Sequence, residues 1–225
     1  MLVHSIFDLI ASALAFQAMV LAHRHWLAGA DLPAFRPLYG LALALGALTG
    51  AYALGTASLW LSGLPGVGRS ILGALCGAVA GVEIYKAAAG ITGSTGLIFV
   101  PGFSVAVIIG RIGCFLSGMA DQTWGTPTSL PWGHDFGDGI PRHPVQLYES
   151  LLMAGFLALF LLTRRRPFVA SNAFYLMTGF YALQRFGLEF LKPYAPVLGP
   201  FNIFHLACAG LLIYAFAMIS RGRHV

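Results

Sequence analysis

The chain has 225 residues, of which 58% are hydrophobic and only 9% are charged, and its mean hydropathy is +0.79. Soluble domains carry about 25% charged residues, so a water-soluble globule is excluded, and the hydrophobicity equally excludes a disordered chain. Cys76, Cys114 and Cys208 form an odd set in apolar stretches and do not make a disulfide scaffold. A net charge of +5 reads, in a membrane chain, as cytoplasmic loops rich in Lys and Arg, and no nucleic-acid partner is expected. The expectation is an all-α polytopic membrane protein with one transmembrane domain over residues 1–225.

A spanning helix needs about 20 apolar residues. Seven stretches supply them, near 2–21, 38–61, 70–89, 97–118, 146–163, 169–190 and 202–220. The breaks between them, HRHWLAGADLPAFRP, SGLPGVGR, GITGSTG, Met119 to Val145, RRRP and KPYAPVLGP, are where proline and glycine cluster. The first stretch is not read as a cleavable signal, because it lacks a basic start and no A-x-A-like site precedes a soluble domain. Trp26 and Trp60 fall at span ends, the depth that amphipathic rings prefer. Small residues recur every four or five positions in the second and third spans (Gly46, Gly50 and Gly55; Gly73, Gly77 and Gly81), the pattern of closely packed helices.

Cations set the orientation. With the N-terminus outside, Arg24, Arg36, Lys86, Arg164, Arg165, Arg166, Arg221 and Arg223 lie inside, and Arg69, Arg142 and Lys192 lie outside. Eight against three places the C-terminus in the cytoplasm. The long segment 119–145 is then external, and loops of that length are usually functional. Its GHDFGDG run, with His134, Asp135 and Asp138, has the spacing of a turn rather than of a ligand set. No metal and no cofactor are expected. His205, one turn into the last span, reads as a hydrogen-bonded packing residue.

Arg111 and Arg185 remain, each inside an apolar helix. A cation there costs at least about 2.5–3.5 kcal/mol and faces a cavity or a partner. Arg185 has Glu189 at i,i+4, on the same helix face; that pair reads either as a purely structural ion pair or as part of a site. Arg111 has no carboxylate within a turn and needs a partner from elsewhere. It lies roughly 10 Å below the outer end of its span at 1.5 Å per residue. Arg185 and Glu189 lie at a similar or shallower depth, and the fifth span begins outside with Arg142, His143, Gln146, Tyr148 and Glu149. His143, Gln146 and Glu149 follow i, i+3, i+6, along one helix side. A guanidinium fork matches phosphate oxygens and keeps its charge when partly desolvated, so these groups point to a pocket for an anionic lipid headgroup. The two guanidinium groups are expected to face one cavity opening to the outer leaflet.

Three ordered motifs carry a resemblance. Gly110-Arg111-Ile112-Gly113-Cys114-Phe115 ends the fourth span, Arg142-His143-Pro144-Val145-Gln146-Leu147-Tyr148-Glu149 opens the fifth, and Arg185-Phe186-Gly187-Leu188-Glu189-Phe190 closes the sixth. Together they resemble the bacterial prolipoprotein diacylglyceryl transferase family. The resemblance implies a multi-pass enzyme of the bacterial cytoplasmic (inner) membrane. Such an enzyme moves a diacylglyceryl group from phosphatidylglycerol to the cysteine thiol of a secreted lipoprotein precursor, releasing glycerol phosphate and forming a thioether. It assigns Arg111 and Arg185 to the phosphate, where preorganised charge is usually the largest catalytic term, and Glu149 and Glu189 to orienting them. Gly110, Gly113 and Gly125 would permit close backbone approach, and Cys114, Arg142, Gln146 and Tyr148 would complete substrate binding.

The chain also departs from that pattern. Leu72 stands where the family has the histidine of an H-G-G run, Cys114 where it has asparagine, and Tyr39-Gly40 lies at the second span rather than the first. Asp121 is the candidate for the acidic residue after the first motif. His143 is either the base that takes the thiol proton, its ordinary pKa near 6.5 suiting that task, or a residue that orients the helix start or binds phosphate. Cys114 is either an internal nucleophile or, the favoured reading, a small apolar filler. Two alternatives to the standard reaction stay open: the same lipid pocket with a different acceptor, and a non-catalytic phospholipid-binding membrane protein.

Overall fold

A computed structural model describes residues 2–27 and 33–222. Arg223, counted among the inner cations, and residues 28–32 of the first break lie outside the described residues. The chain is nearly all helix: α1 (Leu2–Trp26), α2 (Pro37–Leu61), α3 (Ile71–Ala89), α4 (Phe99–Leu116), α5 (Val145–Thr163), α6 (Pro167–Glu189) and α7 (Ile203–Arg221). Among the described residues, six of these are long and apolar enough to cross a membrane. The exception, α6, was expected as the sixth of seven spans. Its lower hydropathy has a physical origin, since Asn172, Thr178, Gln184, Arg185 and Glu189 are all turned into the protein interior. Elsewhere the helices carry large apolar side chains on their outer faces, including Leu9, Phe16, Ile84, Leu162, Ile213 and Phe216. An exposed apolar surface of this extent marks a membrane-embedded protein. The chain is a multi-pass membrane protein.

Local chemistry sets the helix ends. Pro37 and Pro167 occupy the first turns of α2 and α6, where a missing N–H costs nothing. Ser70 caps α3 by accepting from the Gly73 N–H, and Gly90 ends it in the left-handed conformation at φ 65°, which glycine adopts freely. Asn202 caps α7 with its side chain while His205 Nδ1 accepts from the Asn202 N–H, so His205 is the buried, hydrogen-bonded residue expected.

The helices group into two compact units. The first comprises Met1–Gly29 and Leu97–Pro193, with α1, α4, α5 and α6; the second comprises Ala30–Gly96 and Tyr194–Val225, with α2, α3 and α7. In the first, Trp26 meets Phe160 edge-on and Arg164 lies 4.7 Å over the Trp26 ring, so α1 and α5 finish at the same end. The other end gathers the start of α1, the close of α4, the start of α5 and the close of α6. Between α4 and α5 the chain forms a short turn (Gly118–Asp121) and a two-residue hairpin, β1 (His134–Asp135) against β2 (Pro141–Arg142). Asp135 Oδ1 accepts from the Gly137 and Gly139 N–H groups, and Asp138 receives Arg142, so these loop carboxylates serve the turn.

In the second unit the glycine rows meet. A Cβ on Gly46 would stand 2.2 Å from the Gly77 carbonyl oxygen, and one on Gly50 would stand 2.2 Å from that of Gly73. The backbones of α2 and α3 therefore touch along the predicted small-residue faces. Gly77→Leu is expected to force these helices apart and to destabilise the protein by about 1–3 kcal/mol, as overpacking does. Thermal unfolding in detergent, against Gly40→Leu where a Cβ meets open space, checks it.

Candidate active site

The closing turns of α4 and α6 and the first turns of α5 bring the predicted charges together at one end of the first unit. Glu149 of α5 is fully buried and sits at the centre. Its Oε2 lies 2.6 Å from Arg111 Nε of α4. Its Oε1 accepts from Arg185 Nη1 of α6 at 2.5 Å and from Lys192 Nζ at 2.8 Å. Arg185 Nε lies 2.9 Å from Glu189 Oε2, the i,i+4 pair read from the sequence. Arg111 thus finds the partner its own helix lacked. Three cations face two carboxylates, leaving one positive charge in a buried place.

The two guanidinium groups converge on one carboxylate, Glu149. Side-chain exposure is 9% for Arg111, 3% for Arg185 and zero for Lys192, so Arg111 is the member that still reaches the surface. Lys192 was counted only as an external cation. The signal for more was its place in RFGLEFLK, three residues after Glu189. Burial, with Arg185 alongside, pushes its ammonium pKa down to about 8.

The remaining candidates divide. Gln146 shares the buried face of α5 with Glu149 and donates to Thr123 Oγ1 at 3.2 Å. Helical spacing holds for these two but not for His143. The residue before a proline is pushed to extended backbone, and α5 starts only at Val145, after Pro144. The His143 N–H instead bonds to the Thr126 carbonyl. Its ring Nδ1 lies 3.4 Å from Tyr148 Oη, which accepts from Trp132 Nε1 at 2.7 Å. His143, Tyr148 and Trp132 form a second cluster. Arg142 is occupied by Asp138 at 2.6 Å, and this guanidinium holds the exposed Asp138 carboxyl below the usual carboxylate range. Of the three glycines, Gly113 gives room to Phe7 of α1, Gly125 gives room to the His143 backbone, and Gly110 faces open space. Cys114 lies beside Arg111, with His4 of α1 beyond it. His4 and Asp8 were not singled out in the sequence, although two polar residues at i,i+4 in an apolar helix were the available signal. Leu72, in the second unit, is completely buried.

These observations define a helical membrane protein with a buried ion-pair cluster of three cations and two carboxylates at one end of its first unit. The profile of the prolipoprotein diacylglyceryl transferase family matches residues 52–221, most of the chain, and the chain belongs to that family. Similar relatives include the phosphatidylglycerol–prolipoprotein diacylglyceryl transferase of Nitratidesulfovibrio vulgaris, 38% identical over 138 residues, or 59% of this chain and 50% of the relative. The proteins of the same name from Geobacter sulfurreducens and Coxiella burnetii are 36% and 33% identical, over 54% and 56% of this chain and 48% and 43% of theirs. The chain spans about half the length of the curated relatives it matches. No solved structure matches.

Glu149→Gln preserves shape and withdraws the carboxylate from three cations. Breaking a buried pair from one side costs about 3–5 kcal/mol, and a loss of stability of that size is expected on thermal unfolding. Asp138→Asn, on the exposed Arg142 pair, is expected to leave the unfolding temperature essentially unchanged, since exposed pairs contribute little.

Proposed function

We propose that the chain is a phosphatidylglycerol–prolipoprotein diacylglyceryl transferase, working in the bacterial cytoplasmic membrane with α6 as the sixth of seven spans, its N-terminus outside and its C-terminus in the cytoplasm. The observation that carries this reading is the convergence of Arg111, Arg185 and Lys192 on Glu149 with one positive charge in excess. The reaction breaks a C–O bond to a phosphate, so negative charge accumulates on the departing glycerol phosphate. Fixed cations in a water-poor site stabilise that charge without having to reorganise. Glu149 and Glu189 keep both guanidinium groups in place before substrate arrives, and Arg111, the partly exposed member, is the one that meets the phosphate. The Trp132–Tyr148–His143 cluster and the hairpin after α4 would shape the entrance for the acceptor peptide. Partners are an anionic phospholipid, phosphatidylglycerol first, and a secreted lipoprotein precursor.

Purified protein, labelled phosphatidylglycerol and a lipobox peptide test this directly. Thioether product is expected, with Arg111→Ala and Arg185→Ala each lowering the rate about 100–1000-fold, the cost of removing one preorganised donor. Headgroup release without peptide modification would assign the acceptor elsewhere. Saturable lipid binding without turnover would make the protein a binder, a reading that buried Leu72 favours because it offers no base.

The charge on Lys192 adds a pH dependence. An ammonium with its pKa pushed down to about 8 is charged below that pH and neutral above it. Affinity for anionic lipid is therefore expected to hold below pH 8 and to fall as pH rises through it. Lys192→Arg, which keeps its charge, should move the fall beyond the measured range in a vesicle-binding titration.

A further inference from the structure

One group at the site end of the first unit is used by none of this chemistry. Cys114 follows Arg111 by three residues on α4, and its Sγ lies 3.8 Å from His4 Nε2 of α1. The same Nε2 lies 2.9 Å from Asp121 Oδ1 in the turn after α4. One ligand atom from each of His4, Cys114 and Asp121 falls within 4.8 Å of the others. On its far side, His4 Nδ1 lies 3.0 Å from Asp8 Oδ2, so both ring nitrogens face carboxylate oxygens. A neutral imidazole has a single N–H. With that hydrogen directed to Asp8, Nε2 turns a lone pair towards Asp121 Oδ1 and Cys114 Sγ, and the three atoms form a set that a cation, or a second proton on the ring, holds together.

Two of the three donors are also held from behind. Asp8 fixes the ring of His4, and Thr123 donates to the second oxygen of Asp121. Gln146 Nε2 in turn donates to Thr123, while the buried Gln146 Oε1 has no hydrogen-bond donor among the described residues. Outer partners of this kind, above all a carboxylate behind a histidine, orient metal ligands and raise their basicity. One imidazole, one thiolate and one carboxylate suit zinc, and three protein ligands leave the fourth tetrahedral position open, as in catalytic zinc sites.

We propose that His4 Nε2, Cys114 Sγ and Asp121 Oδ1 bind a zinc ion with an open fourth position. The thiolate and the carboxylate balance the two charges of the ion. Arg111 Nη1, 4.0 Å from the sulfur, stands on the thiolate side and links this centre to Glu149. The open position takes a soft anionic ligand, and a metal deprotonates a thiol that coordinates it. Resting on the transferase reading above, that ligand is the acceptor cysteine. Its S–H proton passes to solvent, its sulfur attacks the glyceryl carbon of the lipid, and an S–C bond forms. The C–O bond to phosphate breaks, its electron pair leaves on glycerol phosphate, and nothing is oxidised or reduced.

The test is metal binding by purified full-length protein, stripped with a chelator and titrated with cobalt(II), then with zinc in competition. One ion per chain is expected, with a thiolate-to-cobalt charge-transfer band that disappears in Cys114→Ser. His4→Gln and Asp121→Asn should weaken binding at least about tenfold, and Asp8→Asn about 10–100-fold with the band retained. Failure to bind either ion overturns the proposal, as does binding whose affinity and spectrum are unchanged in all four variants. Should Cys114→Ser not fold, alkylation of Cys114 in the unaltered protein decides: zinc must slow it at least about tenfold, and equal rates overturn the site. Activity separates this proposal from the one it rests on. Zinc binding without transfer under any condition keeps the metal site and removes the transferase reading. Transfer unchanged by stripping and by the His4, Cys114 and Asp121 substitutions removes the zinc chemistry and leaves the transferase reading intact.

Discussion

A single buried carboxylate organises the charged end of the first unit. Glu149 is held by cations arriving from two other elements, Arg111 at the end of α4 and Arg185 and Lys192 at and beyond the end of α6. In a medium of low polarity an unpaired charge is far more costly than a paired one. The ends of α4, α5 and α6 are therefore obliged to lie at one level. Because the cations outnumber the carboxylates, the arrangement that holds the helices in register also keeps a positive charge close to the surface through Arg111.

The choice of arginine follows from its geometry. Arg185 uses Nη1 on Glu149 and Nε on Glu189, and Arg111 uses Nε on Glu149 while Nη1 turns to Cys114. A planar fork with several donors can be fixed by one carboxylate and still present a second edge; a lysine ammonium on a flexible stem cannot. In the proposed reaction, preorganisation of this kind would remove reorganisation from the moment of reaction. The two compact units also differ in what holds them. The first concentrates buried ion pairs and aromatic contacts, whereas in the second α2 and α3 touch backbone to backbone through glycines.

The spans were legible because hydropathy over some twenty residues is a one-dimensional signal. Departures occur where backbone bonding and side-chain polarity disagree. The helix α1 continues through His23, Arg24 and His25 to Trp26, since polar residues end an apolar stretch without ending a hydrogen-bond ladder. Pro144 starts α5 after His143 and removes that residue from the helical face. In α6, Arg185 and Glu189, two of the interior-facing polar residues that lower its hydropathy, are the ones the buried ion pairs need. Cys114 reads as an apolar filler until His4, 110 positions away, is seen to face it.

The sequence by itself determined that this chain lives among lipids, where its helices begin and end to within a few residues, which arginines are out of place in an apolar helix, and to which family its motifs belong. Tertiary structure decided the pairings: Glu149 shared by Arg111, Arg185 and Lys192, His143 gathered with Tyr148 rather than with the arginines, and His4 brought to Cys114 and Asp121. Hydropathy and local spacing act over a few residues along the chain. The partner of a buried charge is instead set by which helix ends meet, a matter of packing between segments far apart in sequence.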